Sequence, residues 1–243
     1  MKNTLKEIID FIKNPQYNTL CKTEYNNVFF RRLLMFFILG YILISIFSIP
    51  SLSIATLINK FFSIDLIKQR NYNFKKSIYG SNTILTMAIM GPIMEEIVFR
   101  LWLSFKKIHV TISLVVTFWI IITKLQSKSL YVFILDLTFL KNLLAAIVLG
   151  ILMNLFFNSR IVQLKLNRSF LYWISSVGFG LIHIFNFLPL EITICWVYPL
   201  LILPQIILGL ILGFSRIKYG FFFSLLLHGL INLPASIYYF YKF

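Results

Sequence analysis

The sequence predicts an all-α polytopic membrane protein, a bundle of about seven transmembrane helices (six to eight) forming one domain. The chain is 59% hydrophobic with a mean hydropathy of +0.84, far above a soluble globular domain. Apolar runs of about 18 residues or more, long enough to cross a bilayer as helices, recur along it. These runs are continuously apolar rather than alternating, which excludes a transmembrane β-barrel.

By apolar length, spans are expected at roughly 33–58, 80–104, 109–124, 139–157, 169–189, 194–215 and 219–240. The third is short enough to be re-entrant, and Tyr131–Leu140 either extends the fourth or forms a half-helix. Residues 1–32 precede the bundle as an N-terminal segment, and residues 33–243 form the transmembrane domain. In that segment Thr4 and Glu7 have capping-box spacing, and Leu5, Ile8, Ile9 and Ile12 share one face before Pro15 ends the run. This pattern suits a short helix lying on the membrane surface, or else a loosely ordered tail. The first long apolar run begins too deep, near Leu33, for a cleavable signal peptide. Cys21 and Cys195 make neither a disulfide framework nor a metal knuckle, and the chain does not end in a prenylation box.

The net charge of +15 lies mainly in the breaks between apolar segments, where headgroups and topology signals require it, so no nucleic-acid partner is expected. Arg31 and Arg32, Lys106 and Lys107, Arg160, Lys165 and Arg168, and Arg216 and Lys218 fall on the amino-terminal side of a seven-span bundle. The positive-inside rule places that side in the cytoplasm, while Lys60, Lys68, Arg70, Lys75 and Lys76 argue the other way.

Against this background a few polar groups stand out, because ionisable residues at membrane depth are costly. Of eight acids, Glu95, Glu96 and Asp136 lie in apolar surroundings; Glu7, Asp10, Glu24, Asp65 and Glu191 do not. Glu96 and Arg100 stand four apart and can pair on one helical face, whereas Glu95 points about 100° away without a local cation. A carboxylate so placed suits a general base; alternatively, both glutamates bond across helices as glue. His109 sits beside Lys106 and Lys107 as an interfacial residue. His183 follows Phe179 by one turn and reads either as a catalytic group or as a satisfied core donor. His228 and Asn232 share a face at four-residue spacing, as two donors for an oxyanion or as an interhelical pair. Gly178, Gly180, Gly209 and Gly213 permit close helix approach, and Pro92 opens the backbone before the glutamates.

Together the motifs Glu95-Glu96-x-x-x-Arg100, Phe179-x-x-x-His183 and His228-x-x-x-Asn232 resemble, in order and spacing, the signatures of the CPBP intramembrane proteases. These are the CaaX-protease and bacteriocin-processing family, also called Abi and related to Rce1-type prenyl proteases. The resemblance covers about residues 80–235, and Gly91-Pro92-Ile93 and Phe99 also fit it; Leu101 departs from the glycine often found after the arginine.

The resemblance implies an intramembrane endopeptidase acting on a membrane-associated peptide or protein. Glu95 would activate water together with His183, His228 and Asn232 would stabilise the oxyanion, and Glu96, Arg100 and Phe179 would support the site. No cofactor is expected to be required; zinc on Glu95, His183 and His228 is the alternative, although the His-Glu-x-x-His spacing of zinc peptidases is absent. The implied location is the cytoplasmic membrane of a bacterium, with the amino terminus in the cytoplasm. Two other readings use the same residues. One is a non-catalytic membrane protein of this fold, acting as an immunity factor or scaffold. The other is a proton-coupled transporter, against which the lack of an inverted repeat weighs.

Overall fold

A computed structural model describes residues 2–15, 27–78, 82–125, 137–161 and 168–242, and every regular element among them is helical. The elements are α1 (Lys2–Lys13), α2 (Asn27–Phe62), α3 (Leu66–Ile78), α4 (Thr83–Leu85), α5 (Gly91–Phe99), α6 (Lys107–Leu125), α7 (Leu137–Ile161), α8 (Arg168–Leu181), α9 (Tyr198–Leu201), α10 (Leu203–Tyr219) and α11 (Phe221–Lys242). Among the described residues six helical segments are long and apolar enough to cross a membrane: Phe29–Phe62, Lys107–Leu125, Leu137–Leu155, Ser169–Phe187, Ile192–Tyr219 and Phe221–Lys242. The protein is thus an integral membrane protein built as an all-helical bundle.

The expected second span, 80–104, is broken. It runs through α4, a π-helical turn (Thr86–Met90), α5 and a 3-10 turn (Leu101–Ser104) that ends at Phe105 with a positive φ of 59°. The expected third span is no re-entrant stub: α6 has 19 residues, about 28 Å of helix, close to the thickness of the hydrocarbon core. Leu137–Leu140 extends α7, while 131–136, including Asp136, lies outside the described residues, as do Cys21, Glu24 and Lys165.

At 36 residues, α2 is longer than its apolar run because nothing stops it; even Pro50 is carried in its interior. Ser48, Ser51 and Ser53 donate to the carbonyls of Ile44, Phe47 and Ile49 around that proline, and Ser51 also reaches Leu200 O at 2.8 Å. Such hydroxyls help satisfy backbone groups at membrane depth.

Two polar stretches fold in ways their composition does not announce. Lys68, Arg70 and Lys75, expected in a loop, lie on helix α3, where the Asp65 side chain accepts the Lys68 N–H at 2.9 Å as an N-cap. α3 docks through Asn73, whose amide donates to Asn186 O (3.1 Å) and Leu188 O (2.6 Å). Helix α1 forms as expected, yet its apolar face covers protein. Ile8 is buried, Leu5, Phe11 and Ile12 pack beside it, and Phe11 meets Tyr172 and Phe214 edge-on. Ile9 is exposed instead. Thr4 lies inside α1 rather than at its cap, and Glu7 pairs with Lys218.

Helix α10 is the centre of the bundle; Leu208–Ser215 is buried without interruption between α2, α8 and α11. Its approach to α8 requires glycine. A Cβ on Gly209 would strike the Ser176 carbonyl and stand 3.2 Å from the Phe179 ring, whereas one on Gly178 would make only an ordinary 3.6 Å contact with Phe99. Gly209→Ala is therefore expected to cost roughly 1–3 kcal/mol, as overpacking does. Gly178→Ala should cost distinctly less, and denaturant unfolding in micelles reads both. Equal stability of the two variants would contradict this account of the α8–α10 contact.

Candidate active site

The site begins with a proline. Pro92 is accommodated at the start of α5, where a missing N–H is tolerated, and the turn before it is π-helical. The Gly91 N–H bonds Thr86 O, five residues back. Met87 O then has no helical donor. The amide four residues on is already used, and the residue five on is Pro92, which has none. Asn232 of α11 fills the gap, its Nδ2 donating to Met87 O at 3.2 Å.

The other end of α5 is also tied by side chains. Its last carbonyls lack intrahelical donors. Ser113 of α6 donates to Ile97 O (2.6 Å), Ser175 of α8 to Phe99 O, and Arg216 Nε of α10 to Arg100 O (3.1 Å). Three neighbouring helices thus fix the short helix that bears both glutamates.

Glu96 is completely buried, and its partners come from α5 and α11. Oε2 accepts from Ser224 Oγ at 2.7 Å, Oε1 lies 3.0 Å from His228 Nδ1, and the Arg100 guanidinium stands 3.5 Å away as the expected i,i+4 pair. A carboxylate can only accept, so His228 Nδ1 donates to it. The same imidazole turns its Nε2 toward Glu95 Oε2 at 3.5 Å. His228 therefore stands between the two carboxylates, itself buried, while the Glu95 side chain keeps 31% exposure.

Phe179 holds the cluster together. Its ring lies edge-on to His183 (5.1 Å between centroids) and to His228 (5.5 Å), and the Arg100 guanidinium sits 3.9 Å above it. Among the described residues the buried Arg100 nitrogens make no hydrogen bond; what faces them is the Glu96 carboxylate and the Phe179 and Phe99 rings. His183 gives its Nδ1 to Phe179 O at 2.9 Å, which leaves Nε2 as the nitrogen free for chemistry.

Three helix segments, 91–100, 179–183 and 224–232, thus converge below the surface, and they lie within one family match. The model of the Rce1-like family, described as type II CAAX prenyl endopeptidase Rce1-like, matches residues 81–234, more than half of the chain. The chain belongs to the Rce1-like family. At the level of that family it is an intramembrane CAAX-type protease. No curated protein and no solved structure matches the chain.

In this Rce1-like chain the structure brings Glu95, Glu96, Arg100, Phe179 and His228 into one contact network, with His183 across the Phe179 ring. Asn232 joins it from the same face of α11, engaged with Met87 O. Ser224 was not singled out from the sequence, although Ser224, His228 and Asn232 form a polar stripe at four-residue spacing. The carbonyl donors Ser113, Ser175 and Arg216 leave no comparable pattern. His109, read as interfacial, stands where α6 begins, its Nδ1 2.6 Å from Ser104 Oγ.

Zinc does not find a ready cradle here. Among the described residues no group of three or more His, Cys, Asp or Glu is disposed to hold a metal ion. Glu96 is occupied by Ser224, His228 and Arg100, and His183 and His228 each lie edge-on to the Phe179 ring.

Proposed function

We propose that this Rce1-like protein hydrolyses a peptide bond of a membrane-associated substrate by glutamate-activated water. The observation that carries the reading is the meeting of Glu95, Glu96 and His228, from segments 132 residues apart, around one partly accessible carboxylate. Glu95 is the accessible acid, and the pairs that hold Glu96 leave Glu95 as the base. With His183 Nε2, it takes a proton from water, and the hydroxide adds to the scissile carbonyl. In this reading His228 carries both ring protons, Nδ1–H held by Glu96 and Nε2–H presented to the developing oxyanion, and the Asn232 amide has a second hydrogen to add. Collapse breaks the C–N bond, and the proton passes to the leaving amine, giving acid and amine. Arg100 and Phe179 hold the groups in register, and the dry wall around them strengthens each hydrogen bond.

The substrate is a membrane peptide, in keeping with the family's CAAX-type chemistry, and the end carrying α1 and Lys218 faces the cytoplasm of a bacterial membrane. The reaction as drawn needs no metal. Cleavage of a membrane-anchored peptide by the purified chain is expected to survive EDTA and 1,10-phenanthroline with less than a twofold change in rate. Loss of activity on chelation, restored by zinc, would overturn the metal-free mechanism. Absence of any cleavage difference between active and Glu95-substituted protein in whole-membrane peptide profiles would overturn the endopeptidase reading.

A further inference from the structure

Helix α10 carries a polar side chain at membrane depth for which the site as described has no use. Gln205 Oε1 is buried and, among the described residues, accepts no hydrogen bond. Buried acceptors are almost always paired, so this one calls for a donor that the described residues do not supply.

Its level in the bundle follows from the helix contacts. Gly180 of α8 lies against the Ile206 backbone, where a Cβ would stand 2.9 Å from the Ile206 N and Cα. Ser224 of α11 lies 3.0 Å from Leu212 O. α10 is antiparallel to both neighbours, so stepping along these pairs brings Gln205 level with Leu181, two residues before His183, on one side and with Ile231, next to Asn232, on the other. Its direction follows from the helical period. Gln205 precedes Gly209 by four residues and Leu212 by seven, so the three share a face. Gly209 meets Ser176 and Phe179, the Leu212 carbonyl meets Ser224, and Arg216, next on the stripe, reaches Arg100 O. That face looks between α8 and α11 into the catalytic layer.

We propose that Gln205 is a substrate-binding residue whose Oε1 accepts a backbone N–H of the peptide beside the scissile bond. This rests on the endopeptidase reading. An extended peptide drawn into an intramembrane site brings backbone N–H groups that find no water there, and each requires an acceptor. Gln205 supplies one within a helical turn of His183 and Asn232.

The test uses the purified full chain in micelles. The probes are a farnesylated peptide with a CAAX tail and copies in which each amide flanking the scissile bond is replaced in turn by an ester, which removes one N–H. In the wild type one ester copy should show a KM at least fivefold higher than the parent. Gln205→Leu should raise KM for the parent by about the same factor, with kcat changed less than twofold, and should erase the ester penalty. Gln205→Glu keeps an acceptor oxygen and should keep the penalty. An ester penalty of equal size in Gln205→Leu, or an unchanged KM, would overturn the proposal while the protease reading stands. A wild type that cleaves no membrane-anchored peptide, farnesylated or not, would overturn both.

Discussion

Replacing Glu95 by glutamine is expected to abolish peptide cleavage and leave the protein folded. The amide has the shape of the acid but cannot take a proton from water, and the loss of a positioned general base typically costs about 10²–10⁴ in rate. The fold should survive because Glu95 holds little of it. Its side chain keeps 31% exposure, and its close polar partner is His228 Nε2 at 3.5 Å. Cleavage of a membrane-anchored peptide, followed beside denaturant unfolding in the same micelles, separates the two effects. Retention of more than a tenth of the wild-type rate would remove Glu95 from the role of base.

Glu96 should behave in the opposite way. Glu96→Leu leaves Arg100 buried beside Phe179 without its counter-charge, and leaves Ser224 and His228 Nδ1 without their acceptor. Breaking one side of a buried ion pair costs about 3–5 kcal/mol, because the other charge stays buried. The single variant should therefore unfold at clearly lower denaturant or fail to accumulate. Glu96→Leu with Arg100→Met removes the stranded charge as well, and should recover most of the stability without recovering cleavage. A Glu96→Leu protein as stable as the wild type would show that Arg100 has another anchor.

The residues that sequence reasoning found were those whose presence in a membrane is costly. Glu95, Glu96, Arg100, His183 and His228 are ionisable, so an apolar background makes them conspicuous. The Glu96–Arg100 spacing also gave a contact that the structure contains. Serine escaped notice because a hydroxyl in a transmembrane helix is inexpensive and common. Yet Ser224 completes the Glu96 shell, and Ser113 and Ser175 fix the end of α5. Hydropathy located the second span but not its interruption, since the π-turn depends on how Pro92 and Asn232, 140 positions apart, divide the hydrogen bonds around Met87. Periodicity found the amphipathic head and chose Ile9 where Phe11 packs, because lipid and protein call for the same apolar stripe. α3 was missed for the converse reason, being too polar to register as a helix until Asp65 and Asn73 showed what caps and docks it.

The dependence of Glu96 on Ser224 and His228 also sets an order of assembly. The acid lies on a short interrupted segment, and two of its hydrogen-bond donors lie 128 and 132 residues further along, on α11. Until α11 emerges, Glu96 has Arg100 beside it but neither the hydroxyl nor the imidazole that completes its hydrogen bonds. The site is thus assembled only once α11 has joined the earlier helices, and the nascent chain has no protease to deploy before it.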